Sequence, residues 1–145
     1  VIPGGSSVPI MAAAGTEDCL LACEGVVARG SMLGSAGMIV MDDSTDMVYQ
    51  IWRLARFYAH ESCAQCTQCR EGTAWTTKIL ERILAGKGKA SDLDLLPSLS
   101  ENMTGKTICV LSDSCAAPIV SGIAKFRSEF DAYLSGARQP ALAMA

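Results

Sequence analysis

Three evenly spaced cysteines, Cys63, Cys66 and Cys69 in the run ESCAQCTQCREG, restrict what this chain can fold into more than any other feature. Cysteines at i, i+3 and i+6 can wrap a short loop around one centre, and the amides of such a loop point inward toward thiolate charge. A closed site needs a fourth ligand from elsewhere. Cys109, 40 residues beyond Cys69, can supply it only if the fold brings two distant segments together. Cys115 lies six residues further on and competes for the same place. The expected fold therefore closes residues 63–69 against a later loop.

The kind of centre follows from the donor pattern. Seven cysteines are an odd number, so a full disulfide set would leave one over. Their clustering argues for metal and for a reducing compartment. Zinc is held well by four thiolates, but zinc modules usually present two separated CxxC pairs. Three close cysteines with one remote partner are the pattern of a [4Fe–4S] cluster. Thiol–disulfide exchange at a CxxC pair leaves the third cysteine unexplained. Cys19 and Cys23 read as small buried thiols on a short helix. His60 reads as a local hydrogen bonder or surface residue and Glu71 as a helix-start residue. Arg70 either offsets cluster charge or is simply solvated.

A cluster whose irons are all capped by thiolate passes one electron without binding a substrate. Electron transfer is thus the expected role. A single histidine and no clear carboxylate pair leave no nucleophile–base arrangement for hydrolysis. The 12 basic residues are scattered in a chain of net charge −3, so no basic face is available to a phosphate backbone and nucleic acid is not an expected partner. No uncharged apolar run reaches the roughly 18 residues that a membrane-spanning helix needs.

Residues 1–43 read as strand and turn, broken by Gly30, Gly34 and Gly37, with a short helix over 17–28 and a buried strand at Met38-Ile39-Val40-Met41. From residue 44 the apolar period becomes helical. Ser44 or Thr45 is expected to cap a first helix that carries Met47, Val48, Ile51, Trp52, Ala55 and Tyr58 inward, with Leu54 and Phe57 widening the apolar stripe, and ends near His60. A second helix is predicted from about Gly72 to Leu84, with Trp75, Ile79, Leu80 and Ile83 inside. Ser91-x-x-Asp94 resembles a capping box for a third helix, which Pro97 should kink or split. Thr107–Leu111 reads as an apolar loop, and a last helix starts near Pro118 and ends at Gly136. Aromatics make up only 6% of the chain, so small and aliphatic side chains must fill the core, which favours close helix packing. Residues 44–135 are expected to form an antiparallel four-helix bundle.

The run His60-Glu61-Ser62-Cys63-Ala64-Gln65-Cys66-Thr67-Gln68-Cys69-Arg70-Glu71-Gly72 resembles the cluster motif of the NADH-binding flavoprotein subunit of respiratory complex I, known in bacteria as the F subunit of NADH–quinone oxidoreductase. Four further stretches agree with it: Ile2–Pro9, Met41–Asp46, Thr107–Leu111 and Phe126–Phe130. Together they cover nearly the whole chain. The resemblance implies Cys63, Cys66, Cys69 and Cys109 as the ligands of one [4Fe–4S] cluster, placing Cys109 above Cys115. It implies a mainly α fold, a four-helix bundle carrying the cluster, preceded by a partial β-grasp segment. The expected division is 1–43 for that segment, 44–135 for the helical [4Fe–4S] domain and 136–145 for a loose tail.

The same resemblance implies a subunit of a multisubunit NADH dehydrogenase, taking electrons from NADH-reduced FMN and passing them toward quinone. Gly4-Gly5 and Gly34-x-x-Gly37 do not make the glycine-rich nucleotide fingerprint. FMN and NADH are therefore expected on an upstream domain or a separate chain, and these residues alone are not expected to oxidise NADH. Implied partners are that FMN/NADH-binding domain or subunit, the large iron–sulfur subunit and the small [2Fe–2S] subunit. The implied location is peripheral, on the cytoplasmic side of the bacterial inner membrane or the matrix side in mitochondria. Two alternatives stand beside this reading: the diaphorase component of an NAD-dependent formate dehydrogenase or hydrogenase, and a zinc-stabilised interaction module. The chain departs from the family at Ala64, where glycine is usual, and at Gln68, where proline is usual. Pro97 and Cys115 are also unusual. Alanine at position 64 restricts the loop if that residue needs a positive φ.

Overall fold

Asp42 accepts hydrogen bonds from Ser44 and Thr45, and the turn so formed delivers Asp46 to the head of a helix. Asp46 caps α1 (Met47–Glu61) by accepting the Tyr49 N–H at 2.9 Å. The cap thus falls on Asp46, because the hydroxyls of Ser44 and Thr45 are already committed to Asp42. Helix α1 buries Met47, Val48, Ile51, Trp52, Ala55 and Tyr58, as its periodicity predicts, but of the residues expected to widen that stripe Leu54 is half-buried and Phe57 is 52% exposed. This structure is a computed structural model that describes residues 1–14, 16–139 and 141. The expectation of a loose tail over 140 and 142–145 lies outside the described residues.

Four more helices follow in this part of the chain: α2 (Thr67–Leu84), α3 (Asp92–Met103), α4 (Leu111–Lys125) and α5 (Arg127–Leu134). A short helix at Cys23–Ala28, here αN, precedes them all. Helix α2 begins directly after Cys66 rather than near Gly72, so Cys69 sits in its first turn. Trp75, expected inside, is 51% exposed. Helix α3 runs through Pro97 without a break. Ser91 makes no side-chain cap there; Asp92, 2% exposed, accepts the Lys89 N–H and pairs with Arg82 instead. The single helix expected from Pro118 onward is two. Helix α4 starts at Leu111 with Pro118 buried inside it, and Phe126 (φ −121°, ψ 29°) separates α4 from α5.

The helices enclose one apolar core. Val48, Ile51 and Ala55 of α1 meet Leu80, Ile83 and Leu84 of α2, Leu93 and Leu96 of α3, Ile119 of α4, and Phe130 and Tyr133 of α5. Each fully buried aliphatic side chain contributes about 1.5–3 kcal/mol. Two glycines set how closely helices approach. A Cβ on Gly122 of α4 would lie 2.3 Å from Ile51 Cδ1 of α1, and one on Gly72 of α2 would lie 2.3 Å from Met103 Sδ of α3. At the far end, Tyr133 donates its hydroxyl to Asp46, and Arg138 pairs with Asp46 and Glu129.

The mainly α expectation holds, with six helices among the described residues rather than four. The partial β-grasp segment does not exist: no β-strand occurs among the described residues. Residues 1–41 contribute one antiparallel bridge, Ile2 to Ile39, with both N–H···O distances 2.9 Å. Pairing continues irregularly beside it, from Gly5 N–H to the Gly37 carbonyl at 2.9 Å and from Ser35 N–H to the Gly4 carbonyl at 3.4 Å, and Val1 exchanges two 2.8 Å bonds with Met11. Left-handed Gly34 (φ 48°) and Ala36 (φ 55°) break the regular register that a strand needs. The strand expected to be buried at 38–41 lies on the surface, with Met38 46%, Ile39 38% and Val40 70% exposed. The helix expected over 17–28 is confined to Cys23–Ala28. This segment is anchored on the bundle by burial of Ile2, Val8 and Ile10 and by a hydrogen bond from Ile10 N–H to Ser121 Oγ, 2.8 Å. No helix among the described residues is long and apolar enough to cross a membrane.

Candidate metal centre

The three clustered cysteines occupy the connection between α1 and α2. Helix α1 ends with Ser62 as its C-cap, and α2 begins with Cys66 as its N-cap. Cys66 makes no side-chain capping bond, so its sulfur is left for other work. Exposure falls along the triplet: Cys63 is exposed, Cys66 half-buried and Cys69 buried at 7%. Between Cys63 and Cys66 the chain makes its reversal at Ala64, whose φ of 64° lies in the left-handed region. Alanine tolerates that region poorly, and the backbone there is held from outside. Arg70 Nη1 donates to the Ala64 carbonyl at 2.8 Å while Arg70 Nε pairs with Glu71 at 2.9 Å.

Cys109 lies on the loop between α3 and α4. Thr107 shapes that loop by donating to the Cys109 carbonyl at 2.8 Å and by meeting the buried Ser112 hydroxyl at 2.6 Å. Gly105 (φ 68°) turns the chain out of α3, and its N–H is taken by Asp113 at 2.9 Å. The loop then touches the triplet: Ile108 N–H points at Cys66 Sγ across 3.5 Å, although the residues are 42 apart in sequence. Cys109 itself is exposed, flanked by Ile108 (86% exposed) and Val110 (74% exposed).

Cys115, the rival fourth ligand, is fully buried in α4 within the apolar core. Burial first, and the charge of Cys69 second, push its thiol up to about 12. Its place inside the core cluster, rather than on the loop that reaches Cys66, sets it apart from Cys109. Cys19 and Cys23 do not match the buried pair expected of them: Cys19 is half-buried and Cys23 exposed. His60 is 83% exposed in its side chain and hydrogen-bonds to Glu61 at 3.0 Å, away from the sulfurs.

Among the described residues, no group of three or more histidine, cysteine or acidic side chains is already drawn together as a metal-holding set. The surroundings nevertheless fit a sulfur-ligated cluster. The candidate donors are all sulfur. Ile108 N–H faces Cys66 Sγ, and the Ser62 hydroxyl lies 3.3 Å from Cys69 Sγ. Donors aimed at ligand sulfur are what an anionic cluster needs from its protein. Ser62 and the Ile108 amide were not evident from cysteine spacing. The one available signal for Ser62 was its position, immediately before the first cysteine.

Residues 49–133 match the family model described as the NADH-ubiquinone oxidoreductase-F iron-sulfur binding region. The chain is 47% identical over 131 residues to the first F subunit of NADH-quinone oxidoreductase from Rhizobium meliloti (strain 1021), covering 90% of this chain and 30% of that protein. It is 45% identical over 137 residues to the F subunit of the same enzyme from Streptomyces coelicolor (strain ATCC BAA-471 / A3(2) / M145), covering 92% of this chain and 30% of the relative. It thus spans about three-tenths of the length of these curated relatives. Among solved structures, the crystal structure of an NAD+-reducing [NiFe]-hydrogenase in the H2-reduced state superposes with TM-score 0.67 at 35% identity, over 72% of this chain and 18% of that one.

Proposed function

The chain belongs to the NADH-ubiquinone oxidoreductase-F iron-sulfur binding family, and from that premise we propose that Cys63, Cys66, Cys69 and Cys109 hold one [4Fe–4S] cluster in an NADH:quinone oxidoreductase. When bound, the cluster supplies one-electron storage between a flavin donor and the next iron–sulfur centre. The residues of this chain hold it, exclude water from one side and set its charge environment. Cys69 anchors the buried side from the first turn of α2. Cys63 and Cys109 form the exposed side, where an electron partner can approach. FMN and NADH are bound by a domain or subunit outside these residues. The electrons continue to the large iron–sulfur subunit, beside the small [2Fe–2S] subunit, at the cytoplasmic face of the membrane or its mitochondrial equivalent.

The observation that carries this reading is the 3.5 Å approach of Ile108 N–H to Cys66 Sγ, which lays the Cys109 loop against the triplet. Its test is the metal content of the purified assembly. Iron and acid-labile sulfide in equal amounts, about four of each per chain, are expected for a cubane centre. Cys109→Ser should lose most of that iron, while Cys115→Ala keeps it. Full iron in the Cys109→Ser protein removes Cys109 from the ligand set. Zinc without sulfide in the unaltered protein makes the chain a zinc-stabilised interaction module instead.

A second reading has an observation of its own. The structural likeness to an NAD+-reducing [NiFe]-hydrogenase supports the diaphorase part of a hydrogenase or formate dehydrogenase. The subunits that co-purify with the chain separate the two readings.

A further inference from the structure

Ser62 closes α1 and sits beside the buried end of the cysteine triplet. Its hydroxyl has two neighbours. Ala64 N–H donates to Ser62 Oγ at 3.3 Å, and Cys69 Sγ lies 3.3 Å away on the other side. A hydroxyl carries one donor and two acceptor positions. The acceptor side is in use by Ala64, and a ligand thiolate can only accept. With Cys69 as a ligand thiolate, the hydroxyl is the group left to donate across the 3.3 Å contact. Arg70 holds the Ala64 carbonyl at 2.8 Å on the other side of this left-handed residue, bracing the turn that presents the Ala64 N–H. Cys69 is the most buried of the four candidate ligands, so water competes least for its sulfur.

We propose that Ser62 tunes the reduction potential of the cluster by donating its hydroxyl hydrogen bond to the Cys69 thiolate. The inference rests on the cluster assignment above. Adding an electron increases negative charge on the cluster and its ligand sulfurs. A donor aimed at one of them stabilises the reduced state more than the oxidised state and raises the potential. Ser62 touches neither iron nor substrate and acts through Cys69. It is a positioning residue that sets the electron affinity of the site.

The test is an EPR-monitored redox titration of the intact assembly, following the signal that Cys66→Ser abolishes. Ser62→Ala should keep the iron and sulfide but shift the reduced-to-oxidised ratio at fixed potential about tenfold toward oxidised, a fall of about 59 mV for a one-electron couple. Ser62→Thr, which keeps the donor, should stay at the unaltered potential. An unshifted midpoint in iron-replete Ser62→Ala overturns the proposal. If Ser62→Ala retains no cluster, Ser62→Thr becomes the deciding variant: the unaltered potential supports the proposal and a lowered one overturns it. Absence of iron and sulfide from the unaltered protein is a different failure, that of the cluster assignment.

Discussion

Ala64 is where this chain carries a conformational cost beside the proposed cluster site. Its φ of 64° belongs to a region that costs a non-glycine residue roughly 1–2 kcal/mol. Glycine removes that strain but brings back about 0.5–1 kcal/mol of unfolded-chain entropy. Ala64→Gly should therefore stabilise the protein by roughly 0.5–1 kcal/mol, seen as a higher thermal midpoint of the assembly with its iron bound. An unchanged or lower midpoint would mean that the Arg70 clamp and the Ser62 contact already compensate for the strain. The glycine usual in the resembling family thus has a backbone reason in this loop. Gln68 has a milder one. It lies in the first turn of α2, where an N–H has no helical partner and proline can be accommodated.

At the level of elements, the site is held by how closely helices approach one another. Helix α1 meets α4 at Gly122, where an added Cβ would strike Ile51. Gly122→Ala should destabilise the fold by about 1–3 kcal/mol through overpacking, read by denaturant unfolding. Gly105→Ala is the informative contrast. It has open space around it, so its cost comes from φ alone and stays near roughly 1 kcal/mol. Equal losses at the two positions would show that packing between α1 and α4 has room to relax. The two loops bearing cysteines take their positions from these packed helices. One joins α1 to α2 and the other joins α3 to α4, and the bundle places both where Ile108 can reach Cys66.

Across the whole molecule, the four proposed ligands lie at the margin of the core, with Cys69 the one among them that is buried. Among the described residues, the apolar cluster that joins the helices includes none of Cys63, Cys66, Cys69 or Cys109. Removing iron should therefore leave most of the helical signal in circular dichroism, with a lowered thermal midpoint because a ligand that binds only the folded state no longer adds to stability. Loss of most helix on iron removal would show instead that the cluster organises the bundle. Leu20 (73% exposed), Leu21 (59%) and Val40 (70%), remote in sequence from the cysteine loops, are exposed apolar residues as well.

Much of this was legible in the residues. The stripe from Met47 to Tyr58 identified a helix, because its pattern is completed within a few turns of chain, and the three-residue cysteine step marked the connection between α1 and α2 as the candidate donor loop. Helix ends were read less well. Asp46 took the cap from Ser44 and Thr45 through a competing turn, and α4 began ahead of Pro118. The strand pattern at Met38–Met41 misled because apolar content gives neither burial nor regular register: Ile39 bridges Ile2 but stays exposed beside the left-handed Gly34 and Ala36. Spacing left Cys109 and Cys115 as rivals until a family likeness favoured one. Tertiary packing buried Cys115, carried the Cys109 loop to Cys66 and turned the Ser62 hydroxyl toward Cys69. Local periodicity is written into neighbouring residues, whereas the approach of two loops 42 positions apart depends on every helix packed between them.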